Sequence, residues 1–105
     1  MPYIKQELRQ PLDVKIDELV KEISKITALD RELISGVLNY CITRIILGTV
    51  LRRCLTVKYD IMCTVEGVLG HVSKEIYRRV TGPYESLKQT VSGDLEEFEQ
   101  ISHQF

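Results

Sequence analysis

The chain has 105 residues and a formal net charge of −1 at pH 7, with 44% hydrophobic and 28% charged residues. This length predicts one domain, and this composition is typical of a globular chain rather than a disordered one. The small net charge argues against a nucleic-acid partner, which needs a broad excess of lysine and arginine. Three cysteines without a Cys-x-x-Cys spacing predict neither a disulfide framework nor a zinc site.

The polar start of the chain lacks the features of a signal peptide, and the unpaired cysteines suit a reducing compartment. We therefore expect a cytoplasmic location. The longest continuous apolar run, residues 45–51, is too short to span a bilayer, so we expect no membrane partner.

The first eleven residues, which include Pro2 and Pro11, predict an irregular lead-in. Helix one should begin near Asp13, directly after Pro11, because aspartate is a favoured residue at a helix start. It should end near Ala28. Its apolar residues recur at helical spacing and predict one buried stripe: Ile16, Leu19, Val20, Ile23 and Ile26.

Helix two is expected from about Asp30, a suitable N-cap, to Arg53. Its apolar residues cover more than one side of the helix: Ile34, Val37, Leu38, Cys41, Ile42, Ile45, Val50 and Leu51. A helix with so wide an apolar surface needs more than one neighbour. We expect helix one on one side of it and another protomer on the other side.

Helix three is expected from about Tyr59 to Thr81, with a regular apolar stripe: Met62, Val65, Leu69, Val72, Ile76 and Val80. Gly82-Pro83 should stop this helix sharply, and Pro83 should open a short helix as far as Lys88. Ser92-Gly93-Asp94 predicts another break. Residues 91–105 carry four acidic and no basic side chains, which predicts an acidic C-terminal tail.

These elements predict an all-α fold. Helices two and three should form a long antiparallel αα-hairpin, with the N-terminal helix packed across it. Residues 1–90 should form the single domain, followed by the tail over residues 91–105. A chain this short with a wide apolar surface is expected to assemble as a homo-oligomer.

Tyr40 and Arg44 are four residues apart on helix two, so their side chains share a face. Such a pair suits a ring-bearing anion, because the aromatic ring can stack on the ligand while the guanidinium holds a phosphate or carboxylate. The alternative is a buried tyrosine beside an arginine in an ordinary ion pair.

A second cationic group, Lys74, Arg78 and Arg79, lies near the end of helix three. It is a candidate anion site, although cations at this position also complement the helix dipole. Tyr84 follows the Gly82-Pro83 break. It is either a ligand wall or part of a segment that packs back over the hairpin.

Neither histidine has the convergent partners that a metal site requires, so we expect no metal and no cofactor. Glu18 and Glu22, four apart on helix one, would suit an all-helical nucleotide pyrophosphatase that holds magnesium with clustered glutamates. That chemistry needs a second acidic pair on a facing helix, and no other helix supplies one on a single face. We therefore expect no enzymatic activity and keep the hydrolase as an alternative.

Three segments resemble a family of small uncharacterised proteins of bacteria and their phages. They are MPYIKQELR at residues 1–9, GVLNYCITRI at residues 36–45, and EIYRRVTGPYESLK at residues 75–88. Members open with MPYI and share the motifs Leu-Asn-Tyr-x-Ile-Thr-Arg and Tyr-Arg-Arg-Val-x-x-Pro-Tyr-Glu. After residue 88 this chain departs from the family, which continues with Asp-Lys-Lys and an Asn-Gly-Asp ending. The family supplies a type of protein and no activity.

The aromatic and basic residues of the last helix, followed by x-Pro-x-Glu, are similar to the hairpin of viral sponge proteins. Those small helical oligomers sequester the cyclic nucleotide or cyclic ADP-ribose signals of CBASS and Thoeris immunity. The resemblance implies a non-enzymatic, phage-type anti-defence sponge that binds an anionic nucleotide at protomer interfaces. The candidate ligand-binding residues are Tyr3, Lys5, Tyr40, Arg44, Lys74, Arg78, Arg79 and Tyr84. The alternative is a protein-interaction module that inhibits a host protein.

Overall fold

The computed structural model describes residues 3–54 and 56–105, and these residues form helices and no strand. The helices are α1 (Gln6–Leu29), α2 (Leu33–Arg53), α3 (Tyr59–Ile76), α4 (Gly82–Ser92) and α5 (Glu96–Ser102). A π-helical turn over Tyr77–Thr81 joins α3 to α4. The prediction of an all-α fold is confirmed.

α1 begins at Gln6, well before the predicted start near Asp13, and Pro11 lies inside it. The predicted irregular lead-in is therefore wrong for residues 6–11, while Pro2 lies outside the described residues. Proline removes one backbone hydrogen bond from a helix but does not prevent the helix from forming around it. The start is held instead by the Leu8 amide, which donates to the Lys5 carbonyl oxygen at 3.0 Å.

α2 begins at Leu33, slightly later than predicted, and ends at Arg53 as predicted. Asp30 has an extended backbone, and its carboxylate accepts a hydrogen bond from the Glu32 amide at 2.9 Å. This hydrogen bond closes a local turn directly before α2, as aspartate side chains do by accepting from an amide two residues on. The predicted N-cap at Asp30 is therefore wrong, because Glu32 is the residue that precedes the helix.

The predicted sharp stop at Gly82-Pro83 is wrong, because the backbone stays helical through the π turn into α4. Thr81 and Gly82 both have right-handed helical backbone angles. The Gly82 amide donates five residues back, to the Tyr77 carbonyl oxygen, which is the bond that defines a π turn. Pro83 then lies in the first turn of α4, where its fixed φ is compatible with the helix.

α4 ends at Ser92, which confirms the predicted break at Ser92-Gly93-Asp94. Gly93 has a φ of 87°, a left-handed value that glycine adopts without strain, and its amide donates to the Gln89 carbonyl oxygen at 2.7 Å. The residues predicted as an acidic tail thus include the last residues of α4 and the short helix α5.

The chain divides into two compact units, Met1–Met62 and Cys63–Phe105. α1 contacts α2 in the first unit, and the π turn contacts α4 in the second. The predicted hairpin of helices two and three extends over both units and stays a prediction. The single domain over residues 1–90 and the homo-oligomer also stay predictions.

Apolar side chains are largely uncovered in the described part of the chain. Val50, at 5% exposure, is the one hydrophobic residue there that is buried. Five apolar residues of α2 expose between 43% and 68%: Leu38, Ile42, Ile45, Leu47 and Leu51. By length and composition alone α2 also has the features of a membrane-spanning helix, which is weak evidence because core helices of soluble proteins share them.

Candidate functional site

The predicted pair on α2 is present on its surface. Tyr40 is 62% exposed, so it is not the buried tyrosine of the alternative interpretation. The guanidinium carbon of Arg44 lies 5.8 Å from the centre of the Tyr40 ring, and Arg44 Nη1 donates to the Tyr40 hydroxyl at 3.5 Å. This spacing is that of a cation–π contact, which holds the charge over the ring.

Arg44 has no carboxylate within ion-pair distance among the described residues. The ordinary ion pair of the alternative interpretation is therefore not found there. Beside Arg44 on the helix, Thr43 Oγ1 donates to Asn39 Oδ1 at 3.2 Å. The α2 surface thus combines one cation, one ring, a hydroxyl and an amide within two helical turns.

A shallow groove of about 550 Å³ runs over this surface. Its lining residues all belong to the stretch from Ser35 to Arg44: Ser35, Gly36, Asn39, Tyr40, Thr43 and Arg44. We call it the α2 groove. A single helix cannot surround a ligand, so the α2 groove is open to solvent on its far side.

A second groove, of about 480 Å³, lies where α1 meets α2 and is mainly apolar. Its apolar lining includes Leu19, Ile23 and Ile26 from α1 with Leu33, Val37 and Cys41 from α2. Ser35, Gly36 and Tyr40 line both grooves. Tyr40 therefore stands between a polar and an apolar surface, an arrangement that suits a ligand with one polar and one apolar part.

The second cationic group is paired internally. Glu75 accepts a hydrogen bond from Arg78 Nη2 at 2.8 Å and forms an ion pair with Arg79, whose Nε lies 2.6 Å from Glu75 Oε1. The hydrogen bond from Arg78 is the main reason that the pKa of Glu75 is lowered, and the positive charges of Arg78 and Arg79 act in the same direction. Two of the three cations predicted to hold an anion here already hold a carboxylate.

The π turn carries a contact that the sequence analysis missed. Tyr77 donates its hydroxyl hydrogen to Glu85 Oε2 at 2.8 Å, and this hydrogen bond raises the pKa of Tyr77 above its usual 10.0. Gly82 makes the geometry possible, because a Cβ at that position would lie 2.9 Å from the Tyr77 carbonyl oxygen. No local pattern relates a tyrosine and a glutamate eight residues apart across a Gly-Pro pair.

The remaining candidates are exposed but separate. Tyr84 is 59% exposed in the first turn of α4, with Lys88 Nζ 5.7 Å from its ring centre. Tyr3, 65% exposed, and Lys5 precede α1. Tyr3, Lys5, Tyr40 and Arg44 belong to the first unit, and Lys74, Arg78, Arg79 and Tyr84 belong to the second. Neither unit by itself therefore contains all eight predicted residues.

The two glutamates of the hydrolase alternative are each paired with a lysine. Lys15 lies 3.9 Å from Glu18, and Lys25 lies 3.2 Å from Glu22. Within residues 3–54 and 56–105 no group of three or more acidic, histidine or cysteine side chains is arranged to hold a metal ion. The hydrolase alternative stays a prediction.

Comparison with curated proteins and with solved structures finds no match to this chain. One family model matches residues 1–95, and its description is a domain of unknown function, DUF6899. The match includes α1 to α4 and ends before α5. This supports the resemblance to an uncharacterised family, while the shared motifs and the likeness to sponge proteins stay predictions. The chain belongs to the DUF6899 family.

Proposed function

We propose that this chain is a non-enzymatic binding protein that takes an anionic nucleotide on the α2 groove. The observation that carries the proposal is Arg44, which lies over an exposed tyrosine ring and has no carboxylate partner in the described part of the chain. An arginine without an ion pair can donate to an incoming anion without first giving up a partner.

The chemistry of a nucleotide fits the side chains around Arg44. Its base offers a flat ring that stacks on Tyr40, and its phosphate accepts the two parallel hydrogen bonds that a guanidinium donates. Asn39 and Thr43 add an amide and a hydroxyl for the sugar. The apolar groove between α1 and α2 adjoins Tyr40 and accepts the less polar edge of the base.

Binding without turnover suits the role of a sponge, which lowers the free concentration of a signal. The likeness to viral sponge proteins supports a phage-type anti-defence role in the host cytoplasm. In that role Tyr3, Lys5, Lys74, Arg78, Arg79 and Tyr84 are further ligand contacts at protomer interfaces. Arg78 and Arg79 contribute less than Arg44, because both are already paired with the Glu75 carboxylate.

A second function has its own supporting observation. The uncovered apolar residues of α2 suit a partner helix, so a protein-interaction module that inhibits a host protein is the alternative. The two functions differ in what remains bound after gentle purification. A stoichiometric host protein without any small molecule favours the interaction module.

The first test is native mass spectrometry of gently purified protein, followed by calorimetric titration with AMP, cyclic AMP and cyclic di-AMP. We expect a retained mass of a few hundred daltons that is released as a nucleotide on denaturation. Tyr40→Ala and Arg44→Ala should lose this mass. Arg53→Ala, which removes the same charge from the same helix outside the groove, should keep it. Protein without a retained ligand and without affinity for any of the three nucleotides would exclude the proposal.

A further inference from the structure

Four residues, one directly before α2 and three within it, follow one another at intervals of four: Glu32, Gly36, Tyr40 and Arg44. Glu32 has helical backbone angles, so all four belong to one row along the helix surface. We call this series the α2 row. In order it presents a carboxylate, a bare stretch of backbone, an aromatic ring and a guanidinium. The row therefore has a hydrogen-bond acceptor at one end and a donor at the other.

Both grooves described above open onto the α2 row, and both lie within the first compact unit. The α2 groove is lined by Gly36, Tyr40 and Arg44, and the apolar groove against α1 is lined by Glu32, Gly36 and Tyr40. Because Gly36 and Tyr40 line both grooves, a ligand that lies along the row contacts both. Glu32 and Tyr40 are separated by about 12 Å along the helix axis, which leaves room for a flat ring between the carboxylate and the tyrosine.

Gly36 keeps the middle of the α2 row open. It is exposed, and a Cβ at this position would meet no atom within 4 Å. A glycine inside a helix costs about 1 kcal/mol relative to alanine. No neighbouring atom in the described part of the chain requires this glycine, whereas a ligand that lies on the helix backbone does, because only glycine allows so close an approach.

Glu32 supplies an acceptor that is still available. Its side chain is exposed, and its carboxylate forms neither an ion pair nor a hydrogen bond within the described part of the chain. The other glutamate that lines the apolar groove, Glu22, is paired with Lys25 at 3.2 Å. An ionised carboxylate can only accept hydrogen bonds, so Glu32 selects a ligand edge that carries N–H donors.

Among the common bases, guanine fits such an acceptor best. Guanine has two adjacent donors on one edge, N1–H and the 2-amino group, and a carboxylate accepts both in parallel, as it does from an arginine. Adenine and cytosine place an acceptor nitrogen beside their amino group, and uracil has one N–H between two carbonyl oxygens. Each of these bases therefore brings an acceptor lone pair against the carboxylate, which disfavours it.

We propose that the base bound at this site is guanine, an inference that rests on the proposed function. The edge with N1–H and the 2-amino group donates to the Glu32 carboxylate. The base lies over the Gly36 backbone and against the Tyr40 ring, and the phosphate lies on Arg44. The less polar edge of the base faces the aliphatic side chains of α1 that line the apolar groove. Arg44 thus binds the anion, and Glu32 selects the base.

Calorimetric titration with GMP, IMP, AMP and UMP tests which base is selected. We expect GMP to bind the wild-type chain at least about 10-fold more tightly than AMP or UMP, the size expected for a hydrogen bond to a charged group. IMP, which is GMP without the 2-amino group, should bind with intermediate affinity. Equal affinities for GMP and AMP would overturn the inference.

Two isosteric variants test the role of the carboxylate. Glu32→Gln should reduce the preference for GMP over AMP to less than about 3-fold, because the amide replaces one acceptor oxygen with a donor. Glu22→Gln removes the same charge from the same groove, and it should keep the preference because Lys25 already pairs with that carboxylate. An equal loss of preference in the two variants would contradict the assignment to Glu32.

A pair of glycine variants tests where the base lies. Gly36→Leu should weaken the binding of GMP and AMP alike by at least about 10-fold, because the leucine side chain takes the place of the base. Gly48→Leu, on the same helix and outside both grooves, should leave both affinities unchanged. A Cβ at either glycine would meet no atom within 4 Å, so both variants should be as helical as wild type by circular dichroism. Wild-type affinity for GMP in Gly36→Leu would overturn the placement of the base.

The same titrations separate this inference from the proposed function. Equal binding of GMP, AMP and UMP, lost in each case in Arg44→Ala, removes guanine from the site and leaves the proposed function in place. A preference for GMP that disappears in Glu32→Gln supports both. A chain that binds none of the four nucleotides removes both.

Discussion

The surface of α2 and the π turn both display cations beside a tyrosine, yet they differ in what those cations already bind. Arg44 makes only a 3.5 Å contact to the Tyr40 hydroxyl, and it has no carboxylate partner among the described residues. Arg78 and Arg79, in contrast, both form ion pairs with Glu75. The number of positive charges in a stretch of sequence is therefore a poor guide to anion binding. What matters is whether a carboxylate has already taken the donors.

The largest expected effect tests which arginine site binds the anion, and the test replaces the arginines of each site in turn. Arg44→Ala should lower AMP affinity about 10- to 100-fold, the size expected for a hydrogen bond to a charged group. The double variant Arg78→Ala/Arg79→Ala removes two candidate ligand-binding residues, but it should lower the affinity less than about 3-fold because both arginines are already paired with Glu75. Calorimetric titration measures both. A larger loss in the double variant would reverse the assignment of the site.

The π turn is held by a close backbone approach that the α2 surface lacks, and a pair of glycine substitutions tests this difference. Gly82→Ala should destabilise the chain by about 1–3 kcal/mol, because the new Cβ would meet the Tyr77 carbonyl oxygen at 2.9 Å. Gly48→Ala, in α2, would place its new Cβ with no other atom within 4 Å and should instead stabilise the chain by up to about 1 kcal/mol. Urea denaturation followed by circular dichroism gives both values. Equal stability of the two variants would show that the turn tolerates a side chain.

The hydrogen bond from Tyr77 to Glu85 should have a smaller effect, because both groups are exposed. Glu85 raises the pKa of Tyr77 in the folded chain, so the bond stabilises the fold below the unfolded pKa near 10.0. This contribution is lost as pH rises through the higher folded pKa. Tyr77→Phe should therefore be slightly less stable than wild type at pH 8 and equal to it at pH 12. A difference that stays constant with pH would contradict this account.

The smallest effect is expected from Glu75→Gln, which removes the carboxylate that Arg78 and Arg79 share. Introduced into the Arg44→Ala background, it should raise the affinity for inorganic phosphate by up to about 5-fold, the scale of an exposed ion pair. The phosphate titration of the Arg44→Ala variant alone at pH 7 is the control. An equal phosphate affinity in the two variants would mean that the Glu75 carboxylate does not block this site.

The pKa of Glu75 is lowered in the folded chain. The contribution of Glu75 to stability is therefore present above its unfolded pKa and is lost as pH falls through its folded pKa.

Part of the π-turn arrangement was accessible from the sequence. Arg78 and Arg79 follow Glu75 by three and four residues, a spacing at which opposite charges pair on a helix. The continuation of the helical backbone through Pro83 could not be predicted from the sequence, because the rule that proline ends a helix describes an isolated α-helix. The early start of α1 around Pro11 misled the prediction in the same way. In both cases the helical backbone continues on the two sides of the proline.

By itself the sequence determined the helical class, the break at Gly93 and the shared face of Tyr40 and Arg44, because helix periodicity and turn chemistry depend on residues close together in the chain. Only the tertiary structure decided which groups are available. It showed that Arg44 lacks a carboxylate partner in the described part of the chain while Glu75 is paired with two arginines, and that α1 and α2 together line an apolar groove. Side-chain pairing and burial depend on which segments meet in space, and local periodicity does not specify that.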